Sequence, residues 1–518
     1  MASEADGTTD QQHQTAPAAP PAGRGSIDPA WLPADGLIPA LIDGREVFGD
    51  ARRACTDPYT GEVFAHAAES GPEDVDRAIA AARRTFDDAS WRGLHATARA
   101  DVLDRMAEII TAESARLAAL ETMDTGKGYF SALHNDAYEA AQALRYAASA
   151  LRTHTSDVHR GNYPPGLIPG GPELVVVRLD DPVGVVAELL PWNGPLMTGS
   201  QRIAMALAAG CSIVVKPPVD AVVSAVEIGR IALRAGVPAG VLNVVLGRGA
   251  TVGEALVTDP RIDLISLTGG VETGKRVMAA AAANLTPVHL ELGGKSPAVV
   301  FADADLDAAA QWITIGAFSN QGEVCVAGTR VLIQDTVYDE VVDRIGQATA
   351  ALPLGDPFDP DVFIGPLIHA EHAASVRGYI DRAVARGDAG VAAQGSLTAG
   401  LPDTFVPATL LRDVKPGSEV EQSEIFGPVL GASSFATEQE AFLRANGTSF
   451  GLAGAVFTGD ASRAWRAATA LDCGEVYVNT YYVGAINGGR GEPRRQSGFS
   501  RTGFEAYTRK KSITFNFG

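Results

Sequence analysis

The sequence predicts an α/β protein built on parallel sheets, and three observations carry that expectation. Short apolar runs, "VGVVAEL" (183–189), "SIVVK" (212–216), "LNVVL" (242–246), "LISLT" (264–268) and "VHLEL" (288–292), alternate with helical stretches near 200–209, 221–235, 251–258 and 273–284. Such runs suit strands covered by helices on both faces. Small, Gly- and Pro-rich turns follow the strands, at the end where ligands bind on sheets of this type. The 518 residues are too many for one simple core, so two to four domains are expected.

Read in order, the chain opens with "MASEADGTTDQQHQTAPAAPPAGRG". Its Ala, Pro, Thr and Gln content predicts a disordered tail over 1–31, with order from about Trp31. It lacks the basic start and apolar block of a signal peptide. "ALIDGREVF" (40–48) reads as a hairpin turning at Asp43-Gly44. From Ser70 the period becomes helical: Val75, Ile79, Ala82 and Phe86, then Leu103, Met106, Ile110, Leu117 and Leu120, then "DAYEAAQALRYAASALR". "PELVVVRLDDPVGVVAELLP" is strand-like and leads into the alternating region. A second α/β region follows over about 295–480, and "KKSITFNFG" reads as a last strand.

Composition narrows the function. Hydrophobic residues make up 46% and charged residues 20%, an ordinary globular balance. A formal net charge of −20 opposes a nucleic-acid surface, since nothing broad would neutralise phosphates. No apolar run is long enough to cross a bilayer. Cys55, Cys211, Cys325 and Cys473 lie far apart and form no CxxC, so neither a disulfide framework nor a metal site is expected. A reducing, cytoplasmic setting fits.

The strand ends carry the chemistry. "PWNGPL" (191–196) offers the Asn193 amide, "KPPVD" (216–220) the Lys216 amine, and "TGGVETG" (268–274) a glycine approach to a helix start. "ELGGKSP" (291–297) places Glu291 at a strand end, and "SNQGEVCVAGTR" (319–330) sets Cys325 among small residues. Each has a plainer reading taken singly: turn chemistry, a solvated carboxylate, a small buried thiol. Several nevertheless fall at the ligand-binding ends of one sheet.

Together these segments resemble the aldehyde dehydrogenase family. The likeness covers roughly 35–518, through "PWNGPL", "KPP", "LTGGVETGK", "LELGGKSP", "NQGEVCVAGTR", "GPLI", "EIFGPV", "FGLAGAVFTGD" and "QSGFSRTG" in order. Cys325 follows Glu291 at the family's usual separation. The resemblance implies oxidation of an aldehyde to the acid with NAD, NADP not being excluded. Cys325 would be the nucleophile, passing through a thiohemiacetal and a thioester. Glu291 would be the base that activates water. The Asn193 amide and the Cys325 backbone N–H would form the oxyanion hole. Glu424 and Phe426 would position the nicotinamide ribose and ring, and Lys216 the adenosine ribose. Gly269 and Gly274 would take the pyrophosphate, with Trp192, Gly249, Gly253, Gly270 and Leu292 completing the cofactor contacts.

The same resemblance implies a Rossmann-like NAD(P)-binding domain over 32–160 and 183–294 and a catalytic domain over 295–495. It also implies an oligomerisation element over 161–182 and 505–518, so that a homodimer or homotetramer is expected. No metal, nucleic acid or membrane enters this expectation.

Three departures bear on specificity. Many members carry a Glu three residues after the lysine of "KPP", against a 2′-phosphate; here it is Val219, with Asp220 beside it. The frequent "PFGG" is replaced by a segment carrying Arg490, Arg494, Arg495 and Arg501. These arginines are expected either to pair with acids of a neighbouring subunit or to receive an anionic substrate group. Positions that are aromatic in members acting on small aldehydes are Gly194, Gln201 and Ser319, so a bulkier or more polar aldehyde is expected unless Trp192, Met197, Tyr481 or Tyr482 refill the space. Two rival functions are a CoA-acylating relative, against which Glu291 speaks, and a non-catalytic protein of the same fold, against which Cys325 and Glu291 together speak.

Overall fold

A computed structural model describes residues 24, 28–32, 35–161, 174–482, 492–499 and 503–516. The expected tail therefore falls mostly outside the described residues, as do Arg490 and Arg501. Arg24 is an exception to the expectation of order only from Trp31: it pairs with Asp57 and, at 3.4 Å, with Asp356.

Five parallel strands form the centre of an eight-stranded sheet, in the order Val288–Glu291, Leu264–Thr268, Val185–Leu189, Ser212–Lys216, Leu242–Val244. All five runs read from the sequence are strands. The sheet is mixed, however, because antiparallel strands close both ends. Ala40–Ile42 and Arg45–Val47 form the expected hairpin beside Leu242–Val244, with Asp43 at φ 53° and Gly44 at φ 72°. The two-residue strand Gly498–Phe499 pairs with Val288–Glu291 at the other edge. Successive strands run outward from Val185–Leu189 in one direction, then return to its other side with Leu264–Thr268. The crevice between the C-terminal ends of those two strands is a topological switch point, where such sheets bind ligands.

Helices Pro195–Ala209 and Val223–Ala235 bury most of their side chains against this sheet. The first begins five residues before the stretch expected from periodicity. Its opening turn is held from outside: Glu121 Oε1 accepts from Leu196 N at 3.3 Å, and Ser224 Oγ donates to the same carboxylate. Lys127 Nζ meets Asp136 at 2.6 Å nearby. Burial pushes Glu121 up to about 7, with Lys127 pulling against that shift.

A second sheet of seven strands has the order Gly390–Gln394, Thr409–Arg412, Val429–Phe435, Arg330–Gln334, Pro297–Val300, Ala453–Phe457, Glu475–Val478. All its pairings are parallel except that of Gly390–Gln394. Its apolar cluster includes Ile313, Phe318, Val331 and Tyr481, separate from the cluster of the first sheet.

The last strand, Thr508–Asn516, lies antiparallel to Leu174–Pro182, which also pairs with Asp157–Gly161. The strand pairing thus takes in residues just ahead of the expected start at 161, and residues 162–173 are outside the described residues. Among the described residues no helix is long and apolar enough to cross a membrane, and no cluster of His, Cys, Asp or Glu is placed to hold a metal ion.

Candidate active site

The two glycines of "ELGGKSP" explain how Glu291 and Cys325, distant in sequence, come to one place. A Cβ on Gly294 would lie 2.2 Å from the Cys325 carbonyl oxygen, so the connector after Glu291 packs backbone to backbone against the cysteine loop. A Cβ on Gly293 would lie 2.0 Å from Glu424 Oε2. Gly294 N donates to Glu424 Oε1 at 2.9 Å. Burial pushes Glu424 up to about 7, while the Gly294 N–H and Lys295 pull it back.

The cysteine loop is held in turn from the "PWNG" side. Asn193 Nδ2 donates to the Glu323 carbonyl at 2.8 Å, and Asn320 Nδ2 donates to the Asn193 carbonyl at 3.2 Å. One Asn193 N–H is thus spent on the loop that carries Cys325, and an amide nitrogen has a second. Asn320, Gln321 and Gly322 all have positive φ, at 50°, 55° and 73°, and form the tight turn that presents Cys325. Cys325 is partly exposed, unlike Cys55 and Cys211, which are buried with thiols pushed up to about 12 by burial. The Glu323 side chain points inward, where Oε1 accepts from Ile368 N at 3.1 Å, and burial raises its carboxyl well above the usual range.

Trp192 stacks edge-on against Phe426, with ring centroids 5.2 Å apart, and against His372 at 5.8 Å. His372 Nε2 bonds the Phe426 carbonyl at 2.7 Å, and Phe426 sits at φ 57°. His372 and Glu323 were not singled out in the sequence. Their signal in the sequence, one titratable residue each, is weak.

Lys216 is buried, and its Nζ donates to the Pro217 carbonyl at 2.8 Å. Burial pulls its amine down to about 8, Arg53 adds to that, and Asp220 opposes it. Gly253 lies 3.7 Å from the Lys216 stem when given a Cβ, and Gly249 and Gly270 have open space there. Gly249–Gly253 form a π-helical turn ahead of Glu254–Thr258, where a simple helix over 251–258 was expected. Gly269 and Gly270 precede the helix Val271–Ala281, whose first-turn N–H groups have no partner within the helix. Gly274 also has a packing part. Its N–H donates to the Gly270 carbonyl inside the helix, and Leu292 fills the place of its Cβ at 2.8 Å. Gly274 and Leu292 thus pack the helix Val271–Ala281 against the end of the strand Val288–Glu291. The remaining amine, backbone N–H groups and Glu424 carboxylate fit a dinucleotide with two riboses and a pyrophosphate.

The tunnel positions divide. A Cβ on Gly194 would meet Asp136 Oδ1 at 3.4 Å, Lys127 Nζ at 3.6 Å and Met197 Cε at 3.7 Å. Ser319 Oγ donates to the Ile315 carbonyl at 2.7 Å. Tyr481 is fully buried with its hydroxyl on the Val326 carbonyl, and the Tyr482 hydroxyl donates to the Gly316 carbonyl. Arg494 and Arg495 both pair with Asp472 of their own chain, at 3.3 Å and 2.7 Å, which accounts for these two without a neighbouring subunit or a substrate.

Comparison with known proteins gives the family. The model of the aldehyde dehydrogenase family matches residues 48–513. A betaine aldehyde dehydrogenase of Bacillus subtilis is 36% identical over 489 residues, covering 92% of this chain and 97% of its own. An aminoacetaldehyde dehydrogenase of Pseudomonas aeruginosa is 39% identical over 449 residues, covering 86% and 88%. Among solved structures, a betaine aldehyde dehydrogenase from Staphylococcus aureus with NAD+ superposes with a TM-score of 0.87 at 34% identity, covering 92% of this chain and 94% of its own. An indole-3-acetaldehyde dehydrogenase with NAD+ gives 0.87 at 34% identity, covering 92% and 96%. The chain belongs to the aldehyde dehydrogenase family, and it is an NAD(P)-dependent oxidoreductase that converts an aldehyde to a carboxylic acid.

Proposed function

We propose that Cys325 and Glu291 carry this reaction on a functionalised aldehyde, with NAD as the working cofactor. The observation that supports the pairing is the Gly294 backbone laid against the Cys325 carbonyl, three residues beyond Glu291. The Cys325 thiolate adds to the aldehyde carbonyl, and the oxygen that becomes negative is met by the Asn193 amide and the Cys325 backbone N–H. A bound nicotinamide dinucleotide supplies the acceptor for the hydride. Cys325 is left as a thioester. Glu291 takes a proton from water, which attacks the thioester and expels the thiolate as the acid forms. Lys216, Gly249, Gly253, Gly269, Gly270, Trp192, Glu424 and Phe426 bind and orient the cofactor, with His372 fixing the Phe426 backbone.

The substrate is bulkier or more polar than acetaldehyde. Gly194 adds no side chain to the tunnel wall beside Asp136, Lys127 and Met197, which a Cβ there would already touch, and two relatives are named for the functionalised aldehydes betaine aldehyde and aminoacetaldehyde. The chain assembles as a homodimer or homotetramer through the sheet that contains Thr508–Asn516, and works in the cytoplasm. The deciding experiment incubates the protein with NAD or NADP and a panel of simple, aromatic, carboxylated and amino-bearing aldehydes, with and without CoA, following reduced cofactor. Acid production without CoA, fastest on functionalised aldehydes, is expected. A preference for acetaldehyde would overturn the substrate reading, and a requirement for CoA would overturn the hydrolytic one.

A further inference from the structure

A polar stripe crosses the otherwise apolar face of the first sheet. Glu188, Ser266 and His289 stand at adjacent register positions on three neighbouring strands, and Glu291 is two residues beyond His289, on the same face. Glu188 is fully buried. A carboxyl there is costly unless partnered. Ser266 Oγ donates to Glu188 Oε1 at 2.7 Å and the Tyr507 hydroxyl to Oε2 at 3.2 Å. Arg202, on the helix that covers this face, reaches Glu291 Oε1 with Nη2 at 3.4 Å. Burial pushes Glu188 up to about 7, and Arg202, Ser266 and Tyr507 pull it down. Burial works against the charge of Arg202, but Tyr507, Glu291 and Glu188 outweigh it.

We propose that Arg202 is the positioning residue of Glu291, and that Tyr507, at the root of the C-terminal strand, keeps Arg202 in place through Glu188. This rests on the reading of Glu291 as the base. A glutamate has several rotamers of similar energy, and an unanchored one spends little time aimed at the attacking water. The guanidinium supplies a fixed partner for one carboxylate oxygen. Glu188 keeps that guanidinium inside the fold as a second carboxyl within its electrostatic reach. Tyr507 fixes Glu188 with its hydroxyl, and its own backbone is tied down because its carbonyl accepts from Val183 N at 3.0 Å.

The test uses 4-nitrophenyl acetate, which needs neither the cofactor nor knowledge of the natural aldehyde. The Cys325 thiolate attacks the ester carbonyl and expels 4-nitrophenolate, leaving acetyl-Cys325, which water hydrolyses to acetate with Glu291 as base. Arg202→Met is expected to keep the nitrophenolate burst and to slow the steady state about 10-fold or more, part of the roughly 10²–10⁴ that a positioned base contributes. The acetyl-enzyme should then accumulate in intact-mass spectra. Arg202→Lys should recover much of the rate. Tyr507→Phe should slow the steady state less, and should add nothing in the Arg202→Met background. Wild-type deacylation in Arg202→Met, with Glu291→Gln still slow, would overturn the proposal and leave the base in place. Wild-type deacylation in Glu291→Gln would remove the base itself. Loss of burst and melting temperature together in both Arg202 variants would overturn positioning in favour of a purely structural role.

Discussion

Replacing Gly293 with Ala puts a methyl group where a carboxylate already stands. The new Cβ would lie 2.0 Å from Glu424 Oε2, 2.6 Å from its Cδ and 2.9 Å from Oε1. Carbon contacts are comfortable at about 3.5 Å or more, so the carboxylate must retreat by roughly 1.5 Å. The obstructing atoms are the end of a flexible side chain, which moves more easily than the backbone. That retreat breaks the 2.9 Å bond from Gly294 N to Glu424 Oε1. A hydrogen bond to a charged group contributes about 1.5–3 kcal/mol. If Glu424 holds the nicotinamide ribose, the same retreat removes its contact with the cofactor, and the Kd for NAD should rise roughly 10- to 150-fold at about 1.4 kcal/mol per tenfold. Isothermal titration with NAD measures this directly, with Glu424→Gln as the comparator and thermal melting as the check on folding. A Kd within about twofold of wild type in a normally folded Gly293→Ala protein would refute the reasoning, because the carboxylate would then have moved without consequence.

Four further outcomes are expected. Cys325→Ala should abolish reduced-cofactor formation, single turnover included, while NAD still binds; appreciable single-turnover signal would remove the thiol from the mechanism. Val219→Glu should raise the ratio of kcat/KM for NAD over NADP by placing a carboxylate against a 2′-phosphate, and an unchanged ratio would pass the choice to another residue such as Asp220. Gly194→Phe should lower kcat/KM selectively for large or charged aldehydes, since Asp136, Lys127 and Met197 already meet the Cβ position and the ring must extend away from them; equal slowing of every substrate would show that the position does not shape the tunnel. Burial pushes Asp124 up to about 8, with Glu121 and Asp220 adding to it and the Val223 N–H opposing. A folded value above the unfolded one gives stability that is full below about pH 4 and lost as pH rises toward 8. The Tm of Asp124→Asn, whose amide oxygen can still accept from Val223 N, should therefore gain on wild type between pH 5 and 9, and parallel curves would contradict this.

Most of the site was legible because local chemistry marks it. The five central strands are apolar runs closed by Gly or Pro turns, and the residues at their ends point to one crevice. What was not legible depends on partners far away in sequence. The helix Pro195–Ala209 opens with Pro, Thr and Gly, which read as loop, and it is completed by Glu121 from 75 residues upstream. The antiparallel edges of the first sheet pair segments hundreds of residues apart, and a two-residue strand such as Gly498–Phe499 has no period to detect. The packing part of Gly274 was hidden because the Leu292 side chain seated on it comes from another element. Glu188 was visible all along as a charge inside "VGVVAEL", but an apolar run is recognised by its average, and one carboxyl does not change that average.

The bond from Tyr507 to Glu188 also sets an order in time. The two residues are separated by 319 positions, so the strand Val185–Leu189 leaves the ribosome long before the hydroxyl that completes it. Until residue 507 arrives, the buried carboxyl has only local company, and the sheet edge at Leu174–Pro182 waits for the strand it will pair with. Both vacancies are closed by one stretch of chain, and they close together. Completion of the polar stripe on the first sheet and closure of the edge at Leu174–Pro182 are therefore one event, which waits for residues 507–516 and comes well after Glu291 and Cys325 have been made.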